Sequence, residues 1–183
     1  MEYRRFGRTN LNLSVFSLGT MRYLASEENA ANTVREAVRR GVNHIETARG
    51  YGKSEQYLGT ALKAGVGLPR ERLYLTTKVS PRADKIATAG EIDESLRQLG
   101  TDYIDNLAIH GINTWEHFEW VKAPDGCMAA VQEAIDAAEQ GDLTVLDRLL
   151  EVVSRPFDEH PDHLEHRRPP QPHEVVSRTF CGT

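Results

Sequence analysis

Short apolar runs alternate with amphipathic stretches four times in succession, one pair per roughly 30 residues, the length of a strand–helix crossover unit. That alternation is the strongest constraint on the fold. Parallel strands cannot be joined by a tight turn, so each needs a connection long enough to hold a helix. The first run, Val15 to Leu18, ends at Gly19-Thr20. Ser26-Glu27-Glu28 then opens a helix with a capping side chain and early acids. Ala30, Val34, Ala37 and Val38 give that helix its apolar stripe, and Gly41 ends it. His44 to Thr47 reads as a second strand. Ser54-Glu55 caps a helix with Tyr57, Leu58, Ala61 and Leu62 inward, closed by Gly65. Leu73 to Val79 is the third strand, and Glu91 to Leu99 a helix with Ile92, Leu96 and Leu99 on one face. Tyr103 to Ile109 is the fourth strand, and Cys127 to Ala138 the fourth helix. Ahead of this series, residues 2 to 18 read as a β-hairpin around Gly7-Arg8-Thr9-Asn10, where Asn10 suits a left-handed turn position.

The alternation stops near residue 136. Residues 1–136 are close to neutral, with 17 Lys and Arg against 18 Asp and Glu. Residues 137–183 carry 5 against 9, together with five of the eight prolines. We expect a folded body over 1–136 and, over 137–183, a helical stretch followed by a Pro/His-rich acidic tail. From Arg155 to Val175 that tail has little apolar surface to set against its ordering entropy.

Composition closes off several classes. No run approaches the roughly 20 apolar residues of a membrane helix, and no apolar segment follows the N-terminus as in a signal peptide. A net charge of -5 gives no general attraction for nucleic acid. Two cysteines, Cys127 and Cys181, cannot build a disulfide framework or a four-ligand metal site. A reduced, cytoplasmic protein is expected. His160, His163 and His166 are spaced by three, but Pro161 interrupts them, and a solvated tail is the better reading than a metal site. Cys127 reads as a small core residue. Trp115 and Trp120 flank His117 in a loop after the fourth strand, placed either to line a substrate mouth or to pack over the sheet.

Ionisable groups recur where strands end: Glu46, Lys78 and His110, with Tyr51 in the loop after the second strand. In a parallel barrel the chemistry gathers at the C-terminal ends of strands. A phenol beside an ammonium is a proton donor, because the cation favours the phenolate left behind. A carboxylate keeps the ammonium charged and placed, and a neutral imidazole can orient a carbonyl oxygen. Each residue also has a plainer reading: a loop anchor for Tyr51, a structural ion pair for Lys78 and Glu46, a satisfied strand-end ring for His110.

These residues lie in recognisable motifs. The run His44-Ile45-Glu46-Thr47-Ala48-Arg49-Gly50-Tyr51-Gly52-Lys53-Ser54-Glu55 resembles a signature of the aldo-keto reductases. Leu75-Thr76-Thr77-Lys78-Val79 resembles their lysine strand. Ile92 to Leu96, then Leu99 to Asp105 and Ile109-His110, resembles their helix–strand signature. The hairpin from Tyr3 to Gly19 is similar to the cap that closes their barrel bottom. The resemblance implies an α/β fold: a truncated (β/α)8 TIM barrel of about four βα units behind an N-terminal β-hairpin, where a full barrel needs about 250 residues. It implies Tyr51 as general acid, Lys78 as the residue that tunes it and His110 as the carbonyl orienter. Glu46 stands where most of the family has Asp. NADPH is the implied cofactor and a small aldehyde or ketone the implied substrate. The family's NADPH site lies mostly from the fifth strand onward, where this chain offers no counterpart, and Gly50-Tyr51-Gly52 lacks the third glycine of a dinucleotide loop.

A second resemblance covers about the last 50 residues. Ala134 to Asp142, Leu149 to Val152 and Arg155 to Glu159 are similar to the C-terminal end of selenoprotein-O-like protein adenylyltransferases. That segment holds none of the residues with which such proteins bind nucleotide or metal. The expected function is therefore NAD(P)H-dependent carbonyl reduction. The alternatives are a non-catalytic truncated or fused fragment serving as an interaction module and, least supported, an adenylyltransferase remnant. An open half-barrel also allows a homodimer through its sheet edge.

Overall fold

The computed structural model describes residues 1–139 except Arg8, Asn10 and Leu24, with only the backbone for Ala138 and Glu139. The expectations for Asn10, for the histidine-rich tail and for the adenylyltransferase-like segment beyond Glu139 lie outside the described residues.

Strands β1 (Tyr3–Arg5) and β2 (Asn12–Ser14) form the expected hairpin, with Tyr3 opposite Ser14. Gly7 supplies a left-handed turn conformation at φ 56°. The hairpin is tied to the loop between the first helix and the strand that begins at His44: Tyr3 Oη donates to Gly41 O at 2.9 Å, and Asn43 Oδ1 accepts from Ser14 N at 2.7 Å. It therefore sits at the N-terminal end of the sheet, opposite the strand ends that carry the ionisable groups.

Four parallel strands follow in sequence order: β3 (Leu18–Gly19), β4 (His44–Glu46), β5 (Tyr74–Val79) and β6 (Asn106–Ile109). Five α-helices accompany them among the described residues: α1 (Glu27–Arg39), α2 (Ser54–Ala64), α3 (Lys85–Leu99), α4 (Trp115–Lys122) and α5 (Cys127–Glu139). Alternate strand residues face the helices. Ile45, Leu75, Val79, Leu107 and Ile109 are all buried on that side. One core cluster joins Val34, Leu58, Leu73 and Leu75 beneath α1 and α2; the other joins Val79, Ile92, Leu107, Val131 and Ile135 beneath α3 and α5. Cys127 is part of that second core, as expected of a small buried residue.

The structure corrects several boundaries. Val15 and Phe16 belong to no strand and are exposed, because Ser14 Oγ bonds Phe16 O at 2.6 Å and bends the chain there. Ala31, not Ala37, completes the buried stripe of α1. Ser54 does not cap α2. Its hydroxyl instead meets Thr20 Oγ1 at 2.7 Å and Thr47 Oγ1 at 2.9 Å, inside the fold. Helix α3 begins at Lys85 rather than Glu91, set by Asp84, whose carboxylate accepts from Ile86 N and Ala87 N. Trp115 and Trp120 lie on a helix, not in a loop: α4 is capped by Thr114, whose hydroxyl accepts from His117 N.

Candidate active site

The parallel register sets the ends of β4, β5 and β6 side by side. Glu46 pairs with Thr76, Lys78 with Ala108, and His110 N donates to Val79 O at 2.8 Å to extend the ladder by one residue. Lys78 and Glu46 occupy the strand face turned away from the helices. Tyr51 reaches them from a tight turn in which Tyr51 N donates to Ala48 O and Ser54 N donates to Tyr51 O. Gly52 completes that turn at φ 60°, a conformation that favours glycine.

All four residues singled out in the sequence meet here. Lys78 Nζ donates to Tyr51 Oη at 3.0 Å and to Thr47 O at 3.2 Å, and pairs with the Glu46 carboxylate. The Tyr51 ring meets His110 edge-on, with centroids 5.3 Å apart at 85°. Gly50 lies under His110, where an added Cβ would stand 3.6 Å from Nδ1. The Lys78 side chain is 18% exposed, and burial pushes its ammonium down to about 8. Contact with the Glu46 carboxylate works in the opposite direction and favours the charged lysine. Burial, and then the positive charge of Lys78, push His110 down as well, so its imidazole is neutral at pH 7 and keeps a single N–H to donate.

Trp115 and Trp120 do not join this cluster in any ring contact the structure shows. Trp115 meets Phe118 edge-on at 5.8 Å, and Trp120 lies against His117 at 5.2 Å.

Beneath the site lies a group that the sequence reading missed. Glu55, read above as a helix-opening acid, is only 1% exposed. It accepts from Thr77 Oγ1 at 2.7 Å and pairs with Arg49 at 3.1 Å. The available signal was its place on α2: Glu55, Leu58, Gly59 and Leu62 share one helical stripe.

A phenol hydrogen-bonded to a half-buried ammonium, with a neutral imidazole at its ring edge, can give a proton to an oxygen set between them. The aldo/keto reductase family model matches residues 16–144. The chain belongs to the aldo/keto reductase family. Its four βα units match part of the TIM barrel of that family, in agreement with the sequence-based fold. An aldo-keto reductase from Bacillus halodurans, solved in its holo form, superposes with a TM-score of 0.63 at 26% identity, covering 80% of this chain and 50% of that one. The NAD/NADP-dependent indole-3-acetaldehyde reductase of Schizosaccharomyces pombe is 42% identical over 79 residues, 43% of this chain and 26% of the relative. A different likeness runs beside these. The protein nucleotidyltransferase YdiU of Syntrophotalea carbinolica is 57% identical over 54 residues, 29% of this chain and 11% of the relative. The chain thus spans half or less of the length of each protein it resembles here. Aldo/keto reductases normally use NAD(P)H. No described helix is long and apolar enough to cross a membrane.

Proposed function

We propose that this chain carries the proton-donating half of an NAD(P)H-dependent carbonyl reductase, acting on a small aldehyde or ketone with Tyr51 as general acid. The observation that supports it is Lys78 Nζ at 3.0 Å from Tyr51 Oη while His110 abuts the same ring. A carbonyl oxygen held against Tyr51 Oη would take the phenolic proton as it becomes an alkoxide. The Lys78 ammonium then faces the phenolate, and Glu46 and Thr47 O hold that ammonium in place. The neutral His110 would offer its N–H to the same oxygen. Cys127, buried and unbridged, fits a reducing compartment such as the cytoplasm.

The described residues do not fit a dinucleotide. Its pyrophosphate binds where glycine lets the backbone of a helix N-terminus approach it. The helix N-termini that follow the sheet's C-terminal ends carry Glu27 and Glu28 on α1, Glu55 on α2, Asp84 capping α3 and Glu116 on α4. Ser26, Asp84 and Thr114 already fill three of those caps. In this reading the dinucleotide is held by residues outside the described ones. The same observation favours the second reading, a non-catalytic module. The matched tenth of a nucleotidyltransferase supports no nucleotidyl transfer.

One experiment decides between the two. The full chain is titrated with NADPH by fluorescence and assayed on a small aldehyde. Saturable binding with turnover is expected, and Tyr51→Phe should lower kcat by roughly a hundredfold or more, the scale of general acid catalysis, without weakening NADPH binding. Absence of binding up to millimolar NADPH would overturn the reductase reading and leave the module.

A further inference from the structure

We infer that Glu55 is a positioning residue for Tyr51, acting from behind the sheet. A carboxylate taken out of water is strongly disfavoured unless hydrogen bonds and a counter-charge replace its hydration. Glu55 has both, and each comes from a segment that builds the site. Thr77, which donates to Glu55 Oε1 at 2.7 Å, directly precedes Lys78 on β5. The period of the strand sends Thr77 to the helix side and Lys78 to the site side. Arg49, whose guanidinium stands 3.1 Å from Glu55 Oε2, opens the turn that carries Tyr51, and its backbone N–H donates to Lys78 O at 2.9 Å. Glu55 itself is the second residue of α2, directly after Ser54, whose N–H closes the turn on Tyr51 O. One buried carboxylate therefore fastens the lysine strand, the start of the tyrosine turn and its end. Glu94, 3.7 Å from Arg49, holds the outer side of the guanidinium and keeps it over Glu55.

The positional claim stands on this geometry; its catalytic meaning rests on the proposed function. The test keeps the two apart. In the full chain, the nuclear Overhauser contact between the Tyr51 and His110 rings reports the phenol's position without any need for turnover. Thr77→Val, nearly isosteric, removes one hydrogen bond to Glu55, and the ring contact should lose at least about half its intensity. Glu55→Ala should abolish it, while Glu55→Gln, which still accepts from Thr77, should restore most of it. Core methyl signals from Ile45 and Leu75 show whether each variant is folded. A ring contact unchanged in Thr77→Val, or persisting in a folded Glu55→Ala, overturns the inference. Where reduction is measurable, Glu55→Ala should cut kcat by roughly tenfold to a hundredfold at similar KM, the cost of misplacing a catalytic group by about an ångström. Failure of the unmodified chain to reduce any aldehyde sinks the reductase reading and leaves the ring contact to judge Glu55.

Discussion

His44 is a half-buried titratable group that the proposed chemistry does not use, and it bridges the site-side face of the sheet. Its Nδ1 meets Ser17 Oγ at 2.7 Å and its Nε2 meets Thr76 Oγ1 at 2.8 Å, which also accepts from Asn106 Nδ2 at 3.1 Å. A neutral ring satisfies both hydroxyls. Burial pushes the imidazole from 6.5 down to about 4. Between those values the unfolded chain binds a proton that the folded one refuses, so stability is complete above about pH 6.5 and is lost as the pH falls toward 4. The loss should approach about 3 kcal/mol at the low end. Urea unfolding at pH 7.5 and 4.5 checks this: His44→Gln should lose about 2–3 kcal/mol less stability across that interval than the unmodified chain. Equal losses in the two proteins would refute it. The sequence shows His44 only as one letter of a strand motif, because Ser17 and Thr76 reach it from two other parts of the chain and Asn106 reaches Thr76 from a third. Glu46, Lys78 and His110 were legible for a different reason: each ends an apolar run, a position that depends on local pattern alone.

Helices α2 and α3 meet backbone to backbone at Gly59. A Cβ there would stand 2.1 Å from Gln98 O and 3.0 Å from Leu99 O. Alanine gains about 1 kcal/mol of helix propensity over glycine, but overpacking costs about 1–3 kcal/mol or more, and a carbonyl cannot rotate away as a side chain can. Gly59→Ala should therefore lower stability by about 2 kcal/mol in urea unfolding, where propensity alone predicts a gain. Asp84→Ala, which removes the acceptor for two N–H groups of α3, should cost about 1 kcal/mol by the same measurement. A change within error would show that water caps the helix as well. These elements also mark how far the pattern could be read. Strands β4, β5 and β6 and helices α1, α2 and α5 were visible because each buries apolar residues at its own period. Helix α4 buries none of its residues, and Ile86 at the start of α3 is exposed, so neither offered a period to detect. Both are defined instead by a single capping side chain, a signal one residue long.

At the scale of the whole molecule, the four-stranded sheet keeps β3 and β6 as its outer strands, each paired on one side among the described residues. Parallel sheets are ordinarily covered on both faces, yet here the face bearing His44, Thr76, Asn106 and Lys78 carries no described helix. Beside β3 stands Phe16, 70% exposed, with Val15 also exposed. An open parallel edge next to apolar side chains is a template for association. We expect a second copy to close it, β6 of each chain running beside β3 of the other about a two-fold axis along the strands. Light scattering should then give twice the 20.5 kDa chain mass, and β6 amides should be protected from hydrogen exchange. Phe16→Lys should return the protein to a monomer with fast-exchanging β6 amides. A monomeric mass for the unmodified chain refutes the second copy in either case: with fast-exchanging β6 amides the edge is open, and with protected ones residues of the same chain cover it. A two-fold axis along the strands preserves their direction. Closure of that kind would bring both sets of Glu46, Tyr51, Lys78 and His110 to one mouth, eight strands around two proton donors.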